Sequence, residues 1–242
     1  MACGGRIGGY AEYAVTDWGR VFKIPDSMSF ERAATLPTAL TTMHHALMTA
    51  GKLRPGDNVF IQGASSGMGI AGMQIAKLKG ASVVIGSSTN AERRNKLKDF
   101  AADVAVDTHD PAWADRVLEA TGGKGADVVV DMISGNLINA TMRATAICGR
   151  IVNVGRLAGN AAEFDFDLHS MKRIEYIGVT FRTRTVDEVR EITRRASTDL
   201  WDHISAGKIN LPIDRTFKLD EAVAAQAYMQ ANRHFGKIVL VM

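Results

Sequence analysis

Residues 59–88 read VFIQGASSGMGIAGMQIAKLKGASVVIGSS. The apolar run Asn58–Gln62 predicts a short buried strand. The turn Gly63-Ala64-Ser65-Ser66-Gly67-Met68-Gly69 leads directly into a helical pattern over Gly67–Lys79, where Ala71, Gly72 and Ala76 permit close packing. A second buried strand is predicted over Ser82–Gly86. Small residues between a strand and a helix let the backbone approach a ligand. The helix start adds free N–H groups and the positive end of the helix dipole, so the natural occupant is a pyrophosphate. The Gly-Lys-Ser/Thr of a phosphate-transferring loop is missing, which argues against ATP hydrolysis.

The alternation continues beyond this stretch. Helices are predicted over Ala91–Phe100, Pro111–Thr121 and Asn136–Ala146, and strands over Asp103–Val106, Ala126–Asp131, Arg150–Val154 and Glu175–Thr180. Val and Ile runs without polar alternation mark strands covered on both faces. Strand–helix alternation implies right-handed crossovers and a parallel sheet. The predicted fold is α/β, a doubly wound parallel sheet of the Rossmann type, which binds nucleotides at the carboxyl ends of its strands. Asp127 is expected to cap the turn after Gly125, and Asp131 to shape the ligand edge of its strand.

The two ends have a different texture. GGYAEYAV, Gly8–Val15, alternates like a strand after the glycine-rich opening. Val186–Ala206 reads as a helix broken or bent near Ser197, Ile209–Phe217 as extended, Asp220–Asn232 as a helix capped by Asp220, and Lys237–Met242 as a last strand.

Composition narrows the function. The 242 residues are 46% hydrophobic and 23% charged, an ordinary globular balance. No apolar run approaches the roughly 18 residues of a membrane-spanning helix. A net charge of +3 without a basic cluster argues against nucleic acid or an anionic membrane as partner. Cys3 and Cys148 are isolated from each other and from any Cys/His cluster, which fits a reducing cytoplasm and no disulfide framework.

Cofactor choice is read at the end of the second strand. An NAD site usually carries an acid there, about 20 residues after the glycine turn. Here stand Gly86-Ser87-Ser88-Thr89, followed by Arg93 and Arg94. Hydroxyls and a guanidinium accept a 2′-phosphate that an acid would repel. Ser87, Ser88 and Arg93 are therefore the predicted 2′-phosphate group and NADP(H) the predicted cofactor, with Lys96 and Lys98 on a solvated helix face.

GASSGMG resembles the short-chain dehydrogenase signature. That family also needs a Tyr-x-x-x-Lys pair, and none of the four tyrosines has a lysine four residues on. The ordered set GGYAEYAV, IPDSMSFERAATLPTALTTMHHAL, LRPGDNVFIQGASSGMG, GGKGADVVVDMI, GRIVNVG, GVTFRTRTVDEVREI and HFGKIVLVM instead resembles the medium-chain dehydrogenase/reductases. It looks most like their zinc-free quinone oxidoreductase branch. The resemblance runs from about Gly8 to Met242. It implies a remnant of a β-rich GroES-like catalytic domain at 1–36, a Rossmann domain at 37–206 and a return to the catalytic domain at 207–242, with most of the first domain lacking. It also implies hydride transfer between the nicotinamide and a quinone, enone or other carbonyl substrate, and a homodimer.

By the same resemblance Thr42 approaches the nicotinamide and Ser65, Ser66, Gly67, Met68 and Gly69 hold the pyrophosphate. Gly155 and Arg156 border the nicotinamide ribose, Phe181 and Arg182 line the nicotinamide pocket, and Phe235, Gly236 and Lys237 close the far side. Thr108 or His109 stands where relatives often carry an aromatic residue beside adenine. No residue is identified as the general acid. Thr38 occupies the position of a catalytic zinc ligand in zinc-dependent relatives, and threonine is a poor zinc ligand. His44 and His45 are adjacent on a predicted helix, diverge, and are expected to pack. Met68 and Met73 are expected to fill core space. Two alternatives stand beside the reductase: an NADP(H)-binding module without turnover, and a zinc alcohol dehydrogenase.

Overall fold

The computed structural model describes residues 8–242; Cys3 and the glycines before Gly8 lie outside them. Six parallel strands form the central sheet: β1 (Val59–Ile61), β2 (Val84–Ser87), β3 (Val104–Val106), β4 (Ala126–Asp131), β5 (Thr145–Asn153) and β6 (Glu175–Gly178). Their order is β3-β2-β1-β4-β5-β6. The chain moves outward from β1 to β3, then returns to β4 on the other side of β1. The point where strand order reverses lies between β1 and β4, and their carboxyl ends open there.

Strand alternation fills two layers. Ile61, Val128, Val130 and Val152 face a core with Met43, Ile70, Met73 and Leu200. Phe60, Val129 and Ile151 face the other, with Trp113, Val117 and Met142. Each successive side chain changes face, so these strands show no polar alternation. Burying one such side chain contributes on the order of 2 kcal/mol.

Helices α3 (Gly67–Leu78), α4 (Ala91–Lys96), α5 (Trp113–Ala120), α6 (Ile138–Ala144) and α7 (Phe166–Lys172) connect the strands. The helix expected over Asn136–Ala146 is shorter: a 3-10 turn covers Gly135–Leu137, and β-branched Thr145 already begins β5. The expected strand to Thr180 ends at Gly178, and α4 gives way to a 3-10 turn at Leu97–Phe100. Asp127 does not cap its turn; its carboxylate accepts the Asn58 N–H at 2.9 Å and the Lys124 ammonium at 2.9 Å, tying β4 to the start of β1.

Helix α8 (Val186–Ser205) is continuous, with a capping box between Thr185 and Glu188. No break interrupts it near Ser197, one of the two alternatives the sequence suggests there. Val189, Ile192, Thr193, Ala196, Leu200 and Ile204 form one buried stripe straight past it, and this packing outweighs serine's propensity cost of about half a kcal/mol. Before the sheet, α1 (Phe30–Thr35) and α2 (Pro37–His44) lead into a π turn at His45–Ala50. His44 and His45 are both buried and diverge as expected: His44 Nε2 lies 2.8 Å from Asp199, while Arg184 donates to His45 Nε2 at 2.9 Å.

The ends differ from expectation. Among the described residues no strand covers Gly8–Val15; Tyr13 and Val15 are almost fully exposed, with no partner strand to pair with. At the other end β7 (Ile213–Lys218) and β8 (Lys237–Val241) make a separate parallel pair joined through α9 (Ala222–Gln230). Asp220 sits inside a 3-10 turn before α9, and Glu221 takes the Lys218 N–H in its stead at 2.8 Å. No helix among the described residues is long and apolar enough to cross a membrane.

Candidate cofactor site

A cleft of about 380 Å³ opens at the carboxyl ends of β1–β5. Its walls come from the turn after β1 (Gly63, Ser65, Ser66), the loop after β2 (Ser87, Ser88, Thr89) and α4 (Arg93). Further residues follow β3 (Thr108, His109), β4 (Ile133, Asn136, Leu137) and β5 (Leu157, Ala158). Asn232 and His234, between α9 and β8, supply a last wall. No Asp or Glu is among the lining residues.

The glycine turn is pinned from several sides. Gly63, at φ +73°, donates its N–H to Ser87 Oγ at 3.1 Å. Ser66 caps α3: its Oγ donates to the Gly63 carbonyl at 2.9 Å and accepts from the Gly69 N–H at 3.1 Å. A Cβ on Gly69 would lie 2.4 Å from Ala64 Cα, so this position needs glycine for helix–turn packing. The N–H groups expected to be free at the helix start are partly taken. Gly67 donates to the Gly236 carbonyl at 3.0 Å, and Gly236 donates to the Ser65 carbonyl at 3.0 Å. The Lys237 stem lies over Gly67, where a Cβ would be 2.5 Å from Cε. Burial lowers the pKa of the Lys237 ammonium, and no acceptor among the described residues bonds it. Lys237 does not line the cleft.

The loop after β2 is sorted by its bonds. Ser88 Oγ meets Ser65 Oγ at 3.2 Å. Arg94 is engaged within the protein, with Nη1 donating to the Ser88 carbonyl at 2.8 Å and to Asp107 at 3.0 Å. Arg93 lines the cleft. Lys96 lies 5.7 Å above the Phe235 ring, outside the cleft. At the end of β4 Asp131 is fully buried and accepts from the Ile133 N–H, the Ser134 N–H and the Ser134 hydroxyl at 2.8–3.0 Å. It thereby shapes the turn that presents Ile133.

Ser65, Ser66, Ser87, Ser88 and Arg93 come together at this cleft. Gly67 and Gly69 stand behind the turn, and Met68 packs against the core as expected beside fully buried Met73. Phe235 is buried against Phe100 at 5.5 Å, so the backbone of Gly236 rather than the Phe235 ring meets the turn. Thr42, Gly155, Arg156, Phe181 and Arg182 do not line the cleft. Thr42 is buried in α2, and Phe181 and Arg182 follow β6. Gly155 packs on the end of β4, where a Cβ would meet the Met132 carbonyl at 2.7 Å. Asn232 was not singled out by the sequence; His234 opens the HFGK segment, but only Phe235, Gly236 and Lys237 were assigned a role from it. Thr38 is exposed on α2, and no group of three or more His, Cys, Asp or Glu is placed to hold a metal among the described residues.

Residues 67–198 match the family model described as zinc-binding dehydrogenase, more than half of the chain. The chain belongs to this family. It is a medium-chain dehydrogenase/reductase, and it resembles solved members along its whole length. A quinone oxidoreductase of Pseudomonas syringae pv. Tomato DC3000 is 25% identical with a TM-score of 0.87, covering 100% of this chain and 74% of that one. The CurK enoyl reductase is 27% identical at 0.79, covering 94% and 67%. Mycobacterial Rv1454c, solved in complex with NADPH, is 25% identical at 0.86, covering 96% and 71%. Among curated relatives, the highly reducing polyketide synthase pspA of Penicillium soppii is 33% identical over 229 residues, 91% of this chain. The chain spans 9% of that protein's length.

Proposed function

We propose that the chain is the cofactor-binding part of an NADPH-dependent reductase that delivers hydride to a quinone, an enone or another carbonyl acceptor. The observation that carries this is the cleft after β2: it is lined by Ser87, Ser88, Thr89 and Arg93 and by no carboxylate. A 2′-phosphate gains charge-assisted hydrogen bonds there, and no carboxylate in the lining repels it. The small-residue turn at the start of α3 suits the pyrophosphate. When bound, the nicotinamide supplies the hydride. The protein's part is to fix the phosphates and so the position of the reacting ring. The acceptor classes follow from the likeness to the quinone oxidoreductase and the enoyl reductase. We further read the reaction as zinc-independent, from Thr38, and the chain as cytoplasmic. We also read it as a homodimer closing the open β6 edge, where Tyr176 is 43% exposed.

Calorimetric binding of NADPH and NADH tests the cofactor. Wild type should favour NADPH, and Arg93→Ala should cut that preference by about tenfold to a hundredfold, the worth of hydrogen bonds to a charged group. Equal binding of both dinucleotides would reject NADPH. NADPH oxidation with quinones and enones tests turnover, and sedimentation of the same sample tests the dimer. Binding without turnover would favour the second reading, a nucleotide-binding module. Its support is that the residues assigned to the nicotinamide end are not assembled at this cleft.

A further inference from the structure

Resting on the NADPH reading, we propose that Asn232 is a specificity-determining positioning residue that aims the Arg93 guanidinium at the 2′-phosphate. Arg93 Nη1 donates to Asn232 Oδ1 at 3.0 Å and to the His234 carbonyl at 3.2 Å. Both acceptors lie in the turn between α9 and β8, 139 and 141 residues away in sequence. A guanidinium presents its donors along edges of a rigid plane, and the Nε–Nη2 edge can grip two phosphate oxygens side by side. With both Nη1 hydrogens directed at Asn232 and His234, that edge is the one left for a ligand. No bond joins Nε or Nη2 to an acceptor among the described residues.

The turn is built for this hold. Asn232 sits at φ +49°, the left-handed region that asparagine tolerates better than most residues. Its side chain is exposed and its neighbour His234 half-buried, and both line the same cleft as Arg93. The base of α4 is fixed independently, because Asn90 Oδ1 caps the Arg93 N–H at 2.9 Å. Arg93 is therefore anchored at its backbone by α4 and at its tip by the distant turn. Without the Asn232 contact a long side chain regains rotamer freedom and loses a fixed aim. Asn232 need not touch the dinucleotide to decide which dinucleotide is preferred.

A double-mutant cycle decides it, with dissociation constants for NADPH and NADH measured on wild type, Asn232→Gly, Arg93→Ala and the double variant. Glycine keeps the left-handed backbone and removes only the acceptor. Asn232→Gly should lower the NADPH-over-NADH preference about threefold to tenfold and add nothing to the loss of preference in the Arg93→Ala background. A structural role alone would weaken both dinucleotides together and leave their ratio fixed, which overturns the proposal. So does a loss of preference that persists undiminished without Arg93. Adenosine 2′,5′-bisphosphate and adenosine 5′-monophosphate, as minimal probes, should repeat the pattern. Wild type without any preference would overturn both this inference and the NADPH reading. A wild-type preference abolished by Arg93→Ala but untouched by Asn232→Gly would overturn this inference alone.

Discussion

In β1 every residue is buried, and in β4 all but Asp127; in β7 every residue except Phe217 is exposed. The central strands are apolar runs covered on both faces, whereas β7 is mostly polar and exposed and β8 buries only Val239 fully. The central sheet holds its shape through two packed layers. A two-stranded pair is marginal alone; this one packs on α9 and α1 and is joined to the central core and the glycine turn through Phe235 and Gly236, just before β8. Order in the two regions therefore has different sources, and it should respond differently to the same substitution.

The largest effect is expected in the core. Phe60 is fully buried and packs 5.5 Å from Trp113; Phe60→Ala should cost about 3–5 kcal/mol in urea unfolding. Phe30, 81% exposed, should cost no more than about 0.5 kcal/mol on the same change. Equal costs would break the comparison.

The second test lies at the seam, where the π turn meets α8. Burial and the Arg184 charge push the His45 pKa down to about 4. The unfolded ring takes its proton near the ordinary value of 6.5. Between those values the unfolded chain holds more protons, so stability is complete above about pH 6.5 and falls as pH drops toward 4. His44 shifts in the same direction, chiefly through burial. Urea midpoints across this window should fall in wild type and fall less steeply in His45→Gln. Parallel slopes would remove His45 from the account.

The smallest effect belongs to the exposed N-terminal tether. Arg190 donates to both Asp17 oxygens, at 2.9 and 2.7 Å. The pair is only partly buried and lies at the surface, where ion pairs stabilise weakly, so Asp17→Ala should shift the global urea midpoint little while speeding limited proteolysis near residues 8–20. A large shift of the whole transition would mean that the tether belongs to the core.

The sheet was legible because burial on both faces writes itself into the sequence as unbroken Val and Ile runs. The turn at Gly63–Gly69 and the missing acid after β2 were legible because each is local. The rest required distance. Asn232 and His234 reach the cleft from a turn at the edge of the HFGK segment, whose sequence does not show which of its neighbours line the cleft. The buried stripe that keeps α8 continuous past Ser197 depends on which helix face is covered. The alternation of Gly8–Val15 describes a half-buried strand, but pairing needs a second strand, and none is supplied to it among the described residues. Alternation records a preference, whereas a strand is a relation between two segments.

The two hydrogen bonds that join Gly236 to Ser65 and Gly67 also impose an order in time. A chain emerging from the ribosome can assemble β1, α3 and β2 long before it has anything to fasten the turn between them. At about 5–20 residues per second, on the order of ten to thirty seconds separate the synthesis of the glycine turn from that of the residue that latches it. The glycine turn is thus made well before the residue that fastens it.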